Sequence, residues 1–275
     1  MTFDLETGLL LTTAIIAGGI NSIAGGGGLL VFPALLLTGI GPLSANATSA
    51  AAIWIGMVMS GAAFRHELQP IARRLWPVTI ASLLGGLLGA LLLLNFSDES
   101  FAGVVPYLIA LGTVLFALSP RLIRLAQQLR RPLRRSLKSA ARSLSNEKQT
   151  HGFQPMRFNQ PLLFMGQGGI ALYGGFFGGG AGILMLSLLS LTNPGKIQTL
   201  QAVKIWMSIC INAAALSYFV FANIISWPHV ILMAVGTSIG GYSGVYIAKH
   251  IPAIWLRRVV IAMGIALTVY FFIEG

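Results

Sequence analysis

Of 275 residues, 55% are hydrophobic and only 9% charged, against about 25% charged in soluble domains. With a mean hydropathy of +0.80, this excludes an ordinary soluble globule and defines a multi-span membrane protein. The net charge of +11 is local, because ten of the eighteen basic residues fall between Arg121 and Arg157; a cytoplasmic loop is built that way, which removes nucleic acid as a partner.

A backbone in lipid must satisfy its hydrogen bonds within the segment, and long apolar runs such as 83–94 lack the alternation of a transmembrane β-barrel. The expected fold class is therefore an all-α integral membrane protein. The N-terminus, Met1-Thr2-Phe3-Asp4-Leu5-Glu6, has no positive region of a cleaved signal peptide, so the first hydrophobic segment is expected to be retained.

The chain opens with an apolar stretch over 8–41, which as one helix would run about 51 Å at 1.5 Å per residue, too long for a hydrocarbon core of about 30 Å. Six glycines interrupt it between Gly18 and Gly28, each costing a helix interior roughly 0.8–1.0 kcal/mol. This predicts a bent pair of shorter helices, one before Asn21 and one after Gly28. Spans follow at 44–64 and 75–96, the latter carrying Gly85-Gly86-x-x-Gly89, then at 101–119 after an acidic loop at 97–100.

The segment 120–158 is the long polar one. Leucines recur there at three- to four-residue spacing between Arg and Lys, which suits a basic amphipathic helix on anionic headgroups or a linker between halves; Pro132 is expected to interrupt a single long helix. A second over-long apolar stretch, 161–191, is broken at Gly178–Gly182. Spans are expected at 197–225, 227–248 and 254–273.

The second half repeats the first. Gly85-Gly86-x-x-Gly89 recurs 155 residues later as Gly240-Gly241-x-x-Gly244, Gly28 and Gly182 are 154 apart, Gly18 and Gly174 are 156 apart, and Trp76-Pro77 has a counterpart in Trp227-Pro228. Three organisational units result: a first transmembrane repeat over 1–119, the basic cytoplasmic loop over 120–158 and a second repeat over 159–275. Each Gly-Gly-x-x-Gly is read as a place where small residues let helices approach closely.

Basic residues follow the second long segment of the first half (Arg65, Arg73, Arg74), whereas in the second half they move one loop on, to Lys249, Arg257 and Arg258. If basic loops face the cytoplasm, the pseudo-symmetric halves are inverted. Each is then a Gly-broken helical hairpin plus three transmembrane helices, 8–10 membrane segments in all, with both termini outside.

The chemistry inside the bundle is sparse. Asp4, Glu6, Glu67, Asp98, Glu99, Glu147 and Glu274 all lie at span ends or in loops, which speaks against a cation pump or a carboxylate proton relay. Lys204 lies about two turns into its span, among Gln198, Thr199, Gln201, Ser208 and Asn212. It reads either as the countercharge of an anionic substrate or as a lysine snorkelling to the interface.

Helices restarting after Gly28 and Gly182 expose N–H groups and a positive dipole end, as in transporters with discontinuous helices; the alternative is glycines that merely permit a bend. The candidate substrate-binding set is Asn21, Ser22, Gly26, Gly27 and Gly28 at the first break, Gly179, Gly180 and Gly182 at the second, with Asn46, Thr48, Ser49, Gln201 and Lys204. Cys210 is the one cysteine, so no disulfide and no Cys-based metal site is expected. His66, His229 and His250 show no ligand spacing. No catalytic group, metal or cofactor is expected.

The run from Gly25 to Pro33 (GGGGLLVFP) followed by Ala45-Asn46-Ala47-Thr48-Ser49 resembles the sulfite exporter TauE/SafE family. The second copy, Gly178 to Met185 (GGGAGILM) with Gln201-Ala202-Val203-Lys204, is similar to that family's second repeat. The resemblance covers nearly the whole chain apart from 120–158, and Ser187 stands where the first repeat has Pro33. It implies a multi-pass permease of the bacterial inner membrane for small organosulfur or sulfur-oxyanion species such as sulfite, sulfonates or sulfoacetate. A passive anion channel, a carrier of other small organic anions, and a membrane-embedded enzyme or assembly factor are the alternatives. The expected partners are a small anionic substrate and the bilayer, with anionic lipid at 120–158; oligomeric state is not legible.

Overall fold

The computed structural model describes residues 3–23, 25–144, 158, 160–193, 196–247, 261–262, 264–270 and 272, and all of its regular structure is helical. The elements are α1 (Phe3–Ile23), α2 (Gly28–Leu36), α3 (Pro42–Ala63), α4 (Arg65–Leu68), a 3₁₀ turn (Ala72–Arg74), α5 (Trp76–Leu93), α6 (Asp98–Leu144), α7 (Pro161–Phe176), α8 (Ala181–Thr192), α9 (Ile197–Phe221) and α10 (Trp227–Ile247). The described residues between 261 and 272 are also helical. Five helices among the described residues are long and apolar enough to cross a membrane: α1, α3, α5, α9 and the first part of α6, Asp98–Leu125. This is an all-α integral membrane protein, as composition requires.

Both over-long apolar stretches are broken, but more narrowly than glycine content predicts. α1 continues through Gly18, Gly19, Asn21 and Ser22 to Ile23, and α7 continues through Gly174 and Gly175 to Phe176. These glycines are helical because a neighbour lies against them. A Cβ on Gly18 would sit 2.9 Å from the Gly241 nitrogen, and Gly175 lies against Gly86. Each Gly-Gly-x-x-Gly is thus seated on the pre-break helix of the other half, α10 on α1 and α5 on α7, the close approach that small residues permit.

These contacts also fix directions. Gly236 faces Ala14 and Gly244 faces Gly19 and Ser22, so α1 and α10 run parallel; Gly85 faces Ala171 and Gly89 faces Phe176, so α5 and α7 run parallel. α3 and α10 run parallel as well, since Ser226 N–H donates to Thr48 Oγ1 at one end and Ser60 Oγ donates to the Gly241 carbonyl at the other. α3 ends, and α5 begins, at the face bearing Arg65, Arg73 and Arg74. The α1–α2 hairpin therefore enters from the face opposite these arginines and the α7–α8 hairpin from the arginine face. Their tips meet inside, where a Cβ on Gly25 would lie 2.6 Å from Gly182 Cα.

The two halves cross at α3 and α9. Trp54 Nε1 donates to the Ile209 carbonyl at 3.1 Å, and Asn212 Nδ2 approaches Met57 Sδ at 3.8 Å. Both pairs are separated by 155 residues, the spacing of the duplicated landmarks, and a residue can touch its own counterpart only where the halves meet. Beside this crossing, Phe32 packs edge-to-face on Phe177 (centroids 5.4 Å apart) and Phe101 on Phe176 (6.0 Å), the arrangement aromatic quadrupoles prefer.

One expectation changes. α6 runs unbroken from Asp98 to Leu144, about 70 Å at 1.5 Å per residue, so Pro132 does not end it; proline removes one hydrogen bond and bends a helix without obliging it to stop. The connection from α3 to α5 holds the short α4 and a 3₁₀ turn. Most of the predicted last span, its basic residues Lys249, Arg257 and Arg258, His250, and positions 145–157 of the basic segment lie outside the described residues.

Candidate functional site

Between the two tips lies a cavity of about 30 Å³, room for one or two water molecules. Its polar wall is Asn21 from the last turn of α1 with Ser208 and Asn212 from α9; Gly25, Gly178 and Gly182 form its backbone floor, and Met57 and Met185 its apolar side. Gly25 has φ +80° and Gly180, which caps α8, has φ +82°, a conformation that suits glycine because it carries no Cβ.

Lys204 is the charged centre of the region. It is 1% exposed, and its Nζ donates to the carbonyls of Asn21 (3.0 Å) and Ser22 (3.2 Å). One turn earlier on the same face of α9, Gln201 Nε2 donates to the Ile23 carbonyl at 3.4 Å. The Asn21 carbonyl also accepts from the Gly25 N–H at 3.0 Å, whereas the Ser22 and Ile23 carbonyls are left over at the helix end, and a cation is stabilised at that negative end of the helix dipole. Lys204 does not snorkel: its ammonium stays inside the bundle and caps a helix 183 residues away in sequence.

The second tip is capped across the halves in the same manner. Asn46 Nδ2 donates to the carbonyl of Phe176, the last residue of α7, at 3.0 Å. Asn46 and Gln201 are 155 apart, so the two capping positions correspond. Ser49, at the position corresponding to Lys204, donates within its own helix to the Asn46 carbonyl.

The remaining candidates separate. Asn21 Oδ1 accepts weakly from Gly27 N–H at 3.4 Å, and Ser22 Oγ donates to the Gly19 carbonyl. Gly26 lies under the Phe116 ring, and Gly27 lies against the Ala17 carbonyl, whereas Gly28 has nothing nearer than Ile53 Cδ1 at 3.8 Å from a notional Cβ. The Gly179 carbonyl accepts from Tyr173 Oη at 2.6 Å. Thr48 is taken up by the α9–α10 connection at Ser226, away from the tips.

The restarting helices offer fewer free amides than a bare N-terminus would. Leu29 and Leu30 N–H turn back on Gly26 and Gly27 carbonyls, and Ala181 and Ile183 on Gly178 and Gly180. The side-chain donors nearest the cavity are those of Lys204, Asn21, Ser208 and Asn212, of which Ser208 Oγ donates to Met185 Sδ at 3.6 Å and Asn212 Nδ2 to the Ser208 carbonyl at 2.9 Å. Met57 and Met185 carry no polar signature, and only the 155-residue offset linking Met57 to Asn212 could have drawn attention to either. Among the described residues no group of three His, Cys, Asp or Glu is placed to hold a metal ion.

An all-helical bundle with two broken hairpins and a buried, partly polar junction between them is the architecture of a multi-pass membrane transporter. Residues 10–271 match the profile of the family described as Sulfite exporter TauE/SafE, and the chain belongs to that family of cell-membrane transporters. It is 26% identical over 261 residues to the "Probable membrane transporter protein ORF9" of Sinorhizobium sp, covering 94% of this chain and 90% of the relative. It is also 25% identical to a "Probable membrane transporter protein" of Haemophilus influenzae, over 94% of this chain and 92% of that one. Against "Probable membrane transporter protein YfcA" of Escherichia coli K12 the identity is 25%, over 89% and 81%. No solved structure matches the chain significantly.

Proposed function

We propose that the protein is a secondary permease for small organosulfur or sulfur-oxyanion species, such as sulfite or sulfonates, that exposes one central site alternately to the two sides of the membrane. The observation that carries this reading is the buried Lys204 ammonium beside a cavity between two hairpin tips. An intramembrane ionisable residue that faces the bundle interior marks a substrate or ion pathway by default. Hairpins entering from opposite faces are what an inverted duplication produces, and such repeats supply the two gates of an alternating-access carrier. The basic continuation of α6 serves as a contact for anionic headgroups on the cytoplasmic side.

The test is uptake by purified protein in vesicles. Saturable flux of sulfite or a simple sulfonate is expected, lost in Lys204→Met while the variant still expresses and purifies as a single species. Unsaturable conductance would make the protein a channel. Unchanged flux in the variant would remove Lys204 from the site.

A further inference from the structure

A cavity of about 210 Å³ lies away from the hairpin tips, at the arginine face. Leu68, Ala72 and Leu75 of the α3–α5 connection and the Trp206 ring of α9 form its apolar walls, with Arg65 and Gln69 beside them. Pockets that enclose a whole small molecule hold about 300–1,000 Å³, so this one suits a single apolar limb of a larger ligand. The Trp206 ring is fixed in place, because its Nε1 donates to Thr79 Oγ1 in the first turn of α5 at 2.9 Å. It is also partly exposed, as is Trp76 at the start of α5. Indole rings so placed mark the level at which lipid tails meet headgroups.

The polar side of the crevice is cationic. Between positions 65 and 74 the sequence has three arginines and one carboxylate, Glu67, and all three arginines are exposed. Arg65 Nε donates to His66 Nε2 at 3.3 Å. Its terminal nitrogens have no hydrogen-bond or ion-pair partner among the described residues. A guanidinium matches a phosphate in bidentate fashion, and basic pockets between transmembrane helices take anionic headgroups.

We infer that this crevice is a binding site for one anionic phospholipid, its phosphate on Arg65 beside Gln69 and the upper part of one acyl chain against Leu68, Ala72, Leu75 and Trp206. The basic continuation of α6 draws headgroups by charge alone. The crevice engages the charged head and the tail of the same molecule, and it does so whatever the carrier moves.

The experiment places purified full-length protein in phosphatidylcholine vesicles and adds either phosphatidylglycerol or further phosphatidylcholine with brominated acyl chains, which quench indole fluorescence on contact. Brominated phosphatidylglycerol is expected to quench a saturable component, half-complete at a mole fraction at least about fivefold lower than for brominated phosphatidylcholine. That ratio corresponds to about 1 kcal/mol, the effect of one basic residue near an anionic lipid. Trp206→Phe should remove this component. Arg65→Gln, at an exposed position, should bring phosphatidylglycerol about fivefold closer to phosphatidylcholine while leaving α6 intact. Equal quenching by the two lipids in the wild-type protein overturns the inference. So does a component that survives W206F, or a preference that survives R65Q. Loss of the preference on adding inorganic phosphate would make free phosphate, not a lipid, the ligand, and also overturns it. If W206F is not monodisperse, the R65Q comparison decides.

Discussion

The tips of the two hairpins occupy corresponding places and are held by different chemistry. Each ends a helix whose final carbonyls face the interior, and each borrows its cap from the long central helix of the opposite half. At the second tip one neutral carboxamide, Asn46, serves a single carbonyl. At the first, a carboxamide and an ammonium, Gln201 and Lys204, serve three. The two tips share one scaffold, but among the described residues only the first is capped by a charged group. Symmetric architecture and asymmetric chemistry are therefore separable, and substitutions can address them one at a time.

The largest effect belongs to what the tips share. Gly25→Val forces a β-branched residue into φ +80° and drives Cβ to 2.6 Å from Gly182 Cα. Left-handed geometry alone costs about 1–2 kcal/mol, so with the backbone clash the expected outcome is loss of monodisperse protein in detergent. Next comes Lys204→Met, which leaves the buried Ser22 carbonyl unpaired at about 1–3 kcal/mol and removes a charge-assisted bond from the Asn21 carbonyl, which keeps the Gly25 N–H; a lowered apparent melting temperature should accompany the loss of flux.

Asn46→Leu uncaps one carbonyl through a neutral bond, for about 1–3 kcal/mol. It should lower the melting temperature less than Lys204→Met and leave measurable transport. Equal losses of transport in both variants would mean that capping, not charge, is what matters at the first tip. The smallest effect is expected for Gly28→Ala. A methyl there meets only Ile53 at 3.8 Å, and alanine favours the helix by up to about 1 kcal/mol; flux should stay unchanged, and a strong loss would show that a ligand approaches this backbone closely.

Much of the architecture was legible because it is written in composition and repetition. The 155-residue offset joined Gly85 to Gly240 before any contact was known, and the over-long apolar stretches announced their own breaks. Local rules misjudged Gly18 and Gly19, since propensity counts a glycine as a weak point and cannot see the helix that will press against it. Pro132 misled for a related reason: the penalty for one missing hydrogen bond was read as a stop. At the site, Lys204 and Asn21 were recognisable as polar groups in apolar runs. Their relation was not, because a side chain bonding carbonyls 183 and 182 residues away leaves no periodic trace. Thr48 shows the converse, a polar residue well placed by offset that is consumed by an ordinary structural bond to Ser226.

The glycine seams carry a mechanical consequence. Because α1 lies flush on α10 and α5 flush on α7, two closely packed helix pairs are each assembled from both halves of the chain. Swinging one copy as a block past the other would shear two interlocked backbones at once. In the alternating-access cycle proposed above these mixed pairs would travel as units about the α3–α9 crossing, so that the units of sequence repetition and the units of motion would be cut along different lines.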